Sequence, residues 1–423
     1  MTSATLHSRF GIRFLCLAFA ASCSCLGQDI LAPSLAGTAN RSPAAQYSGT
    51  SQVAPVGLGI PESEMGQALL NWGQAHLHPH FVYRFSANDG LQAAPGEPTT
   101  TILHEFSPGL LIQLGNHWTL DYTPTIRSYS SSQFHDSVDQ AVSLSGNFGY
   151  GDWSFGMQQS YGWSSAPLVE TASQTDQETF STTLNAGYQL NSKVSLSFGI
   201  NQSLRYVNAN NQSEQLSDSK DWSTMEWINY QILPRLSVSL GGGGGYTDVK
   251  IGTDMSYGQF QGRIHFIPGS KLDLSLNGGF EDRQLIDSGL PDLINPIFGL
   301  SIQYQLFEPT TFTLSASRSV SASYFQHQVT ENTGLSAALR QRLIQKFYLE
   351  LSGGYGSSDY VGTQVGSDTG RSDTYVSFSA SLSTTFLKRA SASVFYSFSD
   401  NTSRTSEFSY SNTQIGAELG YRF

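Results

Sequence analysis

The sequence predicts an all-β protein, a transmembrane antiparallel β-barrel of about 18 strands, within a range of about 16 to 18. Apolar and polar residues alternate over most of the chain, short turns alternate with longer loops, and only 13% of the residues are charged. Successive side chains of a strand point to opposite faces, so the alternation gives each segment one apolar and one polar face. Such segments are typical of a barrel whose apolar face contacts lipid and whose polar face lines a lumen.

The first 27 residues predict export. Arg9 and Arg13 precede an apolar run over 14–21, which is followed by small residues. The run is shorter than the roughly 20 residues of a spanning helix, and its layout is typical of a cleaved signal peptide over 1–27. All 3 cysteines lie within it, so disulfides are not expected in the exported chain. The alternative is a lipoprotein signal in which Cys23 is lipidated.

Residues 28–75 precede the predicted barrel. The first half is rich in Ala, Ser, Pro and Gly, which predicts a flexible periplasmic segment. A short helix is predicted over 61–72, with Pro61 at its start and Met65, Leu69 and Trp72 on one face. Three placements stay open for this segment: free in the periplasm, docked on a partner, or folded into the lumen.

The barrel itself is predicted over 76–423, as eighteen alternating segments. In the clearest segment, Val376, Phe378 and Leu382 share one face while serines occupy the positions between them. Tight turns are predicted at 116–117, 151–152, 191–192, 233–234, 268–269, 308–309, 344–345 and 387–388. Longer loops are predicted at 86–99, 130–137, 165–177, 208–219, 248–253, 284–292, 325–330, 358–371 and 400–406. An even strand number places both chain ends and all the tight turns on the periplasmic side, with the longer loops outside.

The polar face carries charges of both signs. The predicted lumen-facing charges are Arg84, Glu105, Asp121, Arg127, Arg205, Arg263, Asp273, Glu281, Arg340, Arg342, Glu350, Glu418 and Arg422. Opposing charges in a pore tune its ion preference, whereas the plainer interpretation is ordinary cross-strand pairing on a wetted surface. Four tyrosines are predicted to face the lumen as well: Tyr129, Tyr257, Tyr348 and Tyr375.

Three places fit the pattern poorly. Glu226 is in phase with lipid-facing residues, and a bulge over 225–227 is expected to turn it away. Arg318 is also on the apolar face, where its long side chain is expected to reach the outer headgroups. The glycine run 241–245 lies within a strand, where it predicts weakened pairing with a sharp bend or a close backbone approach.

Catalytic and metal sites are not predicted. His76, His78 and His80 share one face of a strand, which spreads their rings too far apart to converge on one metal ion. His104 and His135, like His327, lie near the predicted rim, but serine and aspartate are so abundant that nearby pairs are uninformative. The net charge of -11 argues against a nucleic-acid partner. No enzyme activity, metal or cofactor is therefore expected.

The last strand carries the strongest resemblance to a known family. Ile415, Leu419, Tyr421 and Phe423 alternate with polar or small residues up to the C-terminus. Together with Ser107-Pro108-Gly109 and Tyr122-Thr123-Pro124, this ending resembles the porin-type outer-membrane barrels of Gram-negative bacteria, some of which are associated with exopolysaccharide systems. The terminal strand is similar to the signal by which such barrels engage the barrel assembly machinery.

The resemblance implies an outer-membrane location and passive passage of hydrophilic solutes. Two alternatives stay open: a conduit or accessory barrel for polysaccharide export, and a structural or adhesive barrel with a plugged lumen. Outer-membrane lipid and lipopolysaccharide are implied partners, and acidic loop residues such as Glu170, Asp176 and Asp287 would bind bridging divalent cations unless they are merely solvated. Trimeric porins are less similar, because no predicted loop is long enough to fold inward as a constriction.

Overall fold

The computed structural model describes residues 70–208, 216–344, 346–367, 370–387 and 389–423. Within them one antiparallel sheet closes on itself, because β2 pairs with both β3 and the last strand, β20. The strands are β1 (Leu70–Trp72), β2 (Ala75–Ala94), β3 (Glu97–Leu114), β4 (Trp118–Tyr122), β5 (Thr125–Tyr129), β6 (Ser137–Tyr150), β7 (Trp153–Leu168), β8 (Ser173–Gln189), β9 (Val194–Asn208), β10 (Ser219–Leu233), β11 (Leu236–Val249), β12 (Met255–Phe266), β13 (Leu272–Leu285), β14 (Leu293–Phe307), β15 (Thr310–Ala322), β16 (Gln328–Ile344), β17 (Phe347–Gly362), β18 (Ser372–Phe386), β19 (Ala390–Ser403) and β20 (Tyr410–Arg422). A 3-10 turn, Ser406–Phe408, precedes β20. No helix in the described residues is long and apolar enough to cross a membrane.

The barrel wall has 18 strands. The three-residue β1 pairs with β2 over 75–77, beyond the stretch that pairs with β20, and is not counted as a wall strand. β4 and β5 are two halves of one wall strand. The break falls at Thr123 and Pro124, where proline has no N–H to donate to the ladder. The predicted all-β class and the predicted strand number are confirmed.

The two faces of the wall differ as the alternation predicts. On β20 the side chains of Ile415 and Leu419 are 60% and 50% exposed on the outward face, while Glu418 between them is 3% exposed on the inward face. The same division runs through β10, where Ile228 is exposed and Trp227 is buried. The outward face is therefore an apolar surface suited to lipid, and the inward face is polar.

The short turns lie at one end of the barrel, as predicted. At the other end, the predicted loop over 86–99 is largely strand. Over 86–99, β2 continues to Ala94 and β3 begins at Glu97. The ladder shifts register near Gly90, which has a φ of +88° and approaches Ser411 so closely that a Cβ would lie 1.9 Å from its carbonyl oxygen. The loop prediction was wrong because backbone pairing continues beyond the part of the strands that alternates.

The N-terminal predictions fall largely outside the described residues. The signal peptide over 1–27, Cys23 and the segment up to residue 69 belong to that part of the chain. Residues 70–72, which were predicted to end a short helix, form β1 instead. Their backbone pairs with 75–77 of β2, and this pairing replaces the hydrogen bonds that a helix would make internally.

Glu226 and Arg318, which fit the alternation poorly, both lie on the outward face but in different surroundings. No bulge occurs near Glu226, because the register of β10 is continuous there with both neighbours, and the side chain is exposed on the outward face. The expected bulge was therefore wrong. Arg318 is also outward, but its Nη2 lies 2.7 Å from the Glu331 carboxylate on β16, so the two charges are paired.

Buried apolar residues collect at the outer end, where the longer loops are. One cluster contains Met255, Leu285, Val320 and Val329, which come from β12, β13, β15 and β16. A second cluster brings Val169, from between β7 and β8, against Tyr375 on β18. The outer end is consequently packed by side chains, and the second cluster marks a loop that reaches across the barrel.

Candidate functional site: the constriction of the lumen

The connection between β7 and β8 turns into the barrel. We call residues 165–177 the inward hairpin. Its tip is almost fully buried, with Val169 at 8% exposure and both Thr171 and Ala172 at 0%. A connection that projected into solvent would expose its tip. The expectation that no loop folds inward was therefore wrong.

The inward hairpin crosses the lumen to the far wall. The Glu170 carboxylate accepts hydrogen bonds from the Ser323 hydroxyl at 2.6 Å and from the Tyr324 backbone N–H at 2.7 Å. The Tyr324 hydroxyl in turn donates to the Gln177 side chain at 2.8 Å. Ser323 and Tyr324 lie between β15 and β16, nearly opposite β7 and β8 in the ring of strands. The hairpin is thus a bar across the outer part of the lumen.

Arg371 fixes the hairpin from a third direction. It lies just before β18 and donates from Nη2 to the Glu170 backbone oxygen at 2.8 Å, while its guanidinium also binds the Asp373 carboxylate. The guanidinium packs over the rings of Phe408 and Tyr360, at 3.7 and 4.2 Å from their centroids. Burial alone would lower the pKa of Arg371, but Tyr360, Asp373 and Glu170 raise it overall, so the group stays charged.

Arg205 contacts the same far-wall residues that Glu170 binds. This predicted lumen residue, on β9, donates to the Ser323 backbone oxygen at 2.6 Å, and its guanidinium lies 3.9 Å from the centre of the Tyr324 ring. Arg205 and Glu170 therefore bind the same two residues between β15 and β16. The hairpin, the connection between β15 and β16, Arg205 and Arg371 thus come from four separate parts of the chain. Glu170, Arg205 and Arg371 each form charge-assisted hydrogen bonds, which are the stronger kind.

An ion-pair cluster lies on the wall beside the hairpin. Arg127 pairs with Glu105 at 2.9 Å and with Asp139 at 2.7 Å, and Arg84 lies 3.7 Å from the other Glu105 oxygen. Arg84 also packs over the Phe395 ring at 4.3 Å. The 4 charged side chains are each 10% exposed or less, and their formal charges cancel. This part of the lumen is therefore polar without a large net field.

The other predicted lumen charges lie on the inward face away from the constriction. Arg263 packs over Trp227 at 3.8 Å, Asp273 lies 3.0 Å from His265, and Arg340 faces Glu350 in register. Asp121 accepts a hydrogen bond from Thr123, Glu281 pairs with Arg283, and Arg342 and Arg422 lie near the end with the short turns. Glu418 differs from these, because it lies in register with Arg84 of the ion-pair cluster. The tyrosines Tyr129 and Tyr375 lie at the constriction, whereas Tyr257 and Tyr348 contact Arg283 and Arg340.

Sequence reasoning missed several residues of the site. Glu170 and Arg371 were assigned to outward loops, and the inward Phe395 was not singled out. A signal for the inward rings exists in the glycines beside them: a Cβ on Gly416 would lie 2.4 Å from the Phe395 ring, and one on Gly241 would lie 2.5 Å from the Trp227 ring. Within the same run, a Cβ on Gly243 would lie 2.1 Å from the Thr224 carbonyl oxygen, which is the close backbone approach that was predicted, whereas the approach of the Trp227 ring was not predicted.

A serine, a histidine and an aspartate meet at the base of the hairpin. The Ser165 hydroxyl lies 2.7 Å from His135 Nε2, and an Asp176 oxygen lies 3.3 Å from the same nitrogen. A catalytic relay needs the serine and the carboxylate on opposite ring nitrogens, so this arrangement ties the hairpin to the β5–β6 connection instead. Within the described ranges, no group of three or more His, Cys, Asp or Glu side chains is placed to hold a metal ion.

Comparisons with known proteins find distant structural likenesses. The chain is similar to OccAB4 of Acinetobacter baumannii (12% identity, TM-score 0.44, 83% of this chain and 99% of that one), to OprD of Pseudomonas aeruginosa (11%, 0.43, 84% and 97%), and to OccK2 (OpdF) of Pseudomonas aeruginosa, solved in complex with glucuronate (11%, 0.44, 82% and 98%). No protein-family model matches the chain, and no curated protein matches it either. These likenesses are too distant to assign a solute.

Proposed function

We propose that the chain is an outer-membrane channel through which small hydrophilic solutes diffuse, with the inward hairpin as its narrowest part. One observation carries this proposal: a closed wall of 18 strands presents a polar inward face, and a bar of hydrogen-bonded side chains crosses it. An eight-strand barrel is filled by its own side chains, whereas about 16 to 18 strands leave room for an aqueous passage. The bar then limits the size of what passes.

The remaining parts of the proposal concern location. The signal peptide 1–27 is cleaved on export, and the outward residues Ile415, Leu419, Tyr421 and Phe423 engage the barrel assembly machinery. The finished wall then contacts outer-membrane lipid and lipopolysaccharide through its apolar outward face. Glu170 no longer counts among the cation-binding loop residues, since its carboxylate is committed to Ser323 and Tyr324.

Single-channel recording in planar bilayers tests the channel. The natural chain is compared with a variant in which residues 167–174 are replaced by two glycines. We expect steady conductance from the natural chain and larger conductance from the shortened variant, because the bar is gone. A matched control shortens 287–291, between β13 and β14, which makes none of the hairpin's hydrogen bonds, and we expect it to leave conductance unchanged. Silence from both the natural chain and the shortened variant would rule out a channel.

A structural barrel is the second candidate. The packed outer end favours it, because two clusters of buried apolar side chains and the inward hairpin lie there. A closed structural barrel predicts no conductance until the bar is removed, whereas a channel predicts conductance from the natural chain.

A further inference from the structure

A cavity lies between the inward hairpin and the place where β2 and β20 close the barrel. Its lining includes Gln92 on β2, Asn412 on β20, Tyr375 on β18 and Val169 at the hairpin tip. Residues of the hairpin and of the wall strands β2, β3, β5, β18, β19 and β20 form its lining. The volume of about 40 Å³ has room for roughly three water-sized groups.

Two amide side chains in this lining have hydrogen-bonding atoms without a partner among the described residues. Gln92 is 3% exposed, and neither its Nε2 nor its Oε1 has a partner. Asn412 is 4% exposed, and its Oδ1 has none. Buried polar atoms nearly always bond to protein, water or a ligand. The Gln92 Nε2 donor and the two acceptors, Gln92 Oε1 and Asn412 Oδ1, are therefore available to a molecule that enters the cavity.

Neighbouring amides show that the pattern is local. The Gln414 Nε2 donates to Asn88 Oδ1 at 2.6 Å and to Ser86 at 3.2 Å, so these side chains satisfy one another within the wall. Gln92 and Asn412 lie in the same lining but are not joined in this way. Their free atoms are thus a property of the cavity rather than of every amide nearby.

The charge of the cavity favours a neutral ligand. Glu105 is the one ionisable carboxylate of the lining, and it is already paired with Arg127 at 2.9 Å. The rest of the lining is amide, hydroxyl, tyrosine and aliphatic, including Tyr375 and Val169 packed together. A solute with a full charge would lose its hydration here without gaining a counter-charge.

We infer that this cavity binds the hydroxyl groups of small neutral polyols, which donate to and accept from Gln92 and Asn412 while their C–H surface packs against Tyr375 and Val169. This inference rests on the proposed channel and names the solutes that it favours. Hydroxyl groups both donate and accept, which matches an amide lining. The room for roughly three water-sized groups takes one end of a polyol, two neighbouring hydroxyls with the carbons between them, while the rest of the molecule stays outside the cavity.

The test measures binding and passage separately, with xylitol as the neutral probe and xylonate as its charged counterpart. Saturation-transfer NMR on the folded protein in detergent reports binding, and the rate of liposome swelling reports xylitol entry. We expect xylitol to bind more tightly than xylonate. The substitution Gln92→Leu should weaken xylitol binding about fivefold, the loss expected for one hydrogen bond.

The matched control is Gln303→Leu, which removes an exposed inward amide near the periplasmic end. It should leave xylitol binding unchanged. Because the side-chain amide of Gln92 makes no hydrogen bond to the described residues, Gln92→Leu should fold as stably as the natural chain, and urea unfolding checks this. Equal binding of xylonate, equal effects of the two substitutions, or no xylitol signal would each overturn the inference. Xylitol binding without conductance would overturn the proposed channel and leave the cavity inference standing.

Discussion

The two ends of this barrel are held by different kinds of contact. At one end, which we propose faces the periplasm, the strands are joined by short turns, and side chains such as Asn191 and Leu387 are exposed. At the outer end the inward hairpin, Arg205 and Arg371 form hydrogen bonds between parts of the chain that lie more than 100 residues apart. The periplasmic end depends on local sequence, whereas the outer end depends on partners that only the closed barrel brings together.

The largest expected effect compares two inward arginines, one from each half. Arg127→Leu would leave Glu105 and Asp139 buried without their counter-charge, which we expect to cost about 3–5 kcal/mol of folding free energy. Arg340→Leu, near the periplasmic end, removes a half-buried charge and should cost under about 1 kcal/mol. Urea unfolding in detergent measures both. Similar losses would contradict the division between the two ends.

A smaller effect is expected when one bond of the bar is removed. Glu170→Ala deletes the carboxylate that binds Ser323 and Tyr324, and should cost about 1–3 kcal/mol because the donors stay buried. The hairpin should also become cleavable by added protease. Glu407→Ala, which removes an exposed carboxylate near β20, is the matched control and should change neither property. Protease resistance in both variants would mean that the wall alone holds the hairpin.

The smallest effect concerns a periplasmic turn. Gly151 has a φ of +60°, and a Cβ there would meet nothing within 4 Å, so Gly151→Ala should cost about 1 kcal/mol through backbone strain alone. Gly258, on the outward face of β12, is equally uncrowded but lies outside the positive-φ region. Gly258→Ala should therefore change stability by less than about 0.5 kcal/mol. Equal losses in urea unfolding would show that the turn conformation is not what makes Gly151 sensitive.

The wall could be predicted from the sequence because its signal is periodic. The alternation within segments such as 374–386 indicates which residues face outward, and the even strand number then assigns each turn to one end. The inward hairpin carries no such signal. Residues 165–177 turn inward because Glu170 meets Ser323, Tyr324 and Arg371, which lie at least 153 residues away. Alternation within one strand contains no information about these partners.

The same limit explains the pattern of missed charges. Glu105 and Arg127 were predicted because each sits in phase with its own strand, whereas their partner Asp139 lies at the outer end of β6, beyond the clear alternation. The orphaned atoms of Gln92 were unpredictable for a related reason. Residues 86–99 were expected to form an outward loop, yet β2 carries Gln92 into the wall.

The span between Glu170 and its partners has a consequence for the order of assembly. Ser323 and Arg371 follow Glu170 by 153 and 201 residues, so partners from the last quarter of the chain must be present before the hairpin can be fastened. Before these residues are present, the connection between β7 and β8 lacks the hydrogen bonds that hold it across the lumen. We therefore expect the bar to be fastened late, after the wall strands on both sides of it have formed.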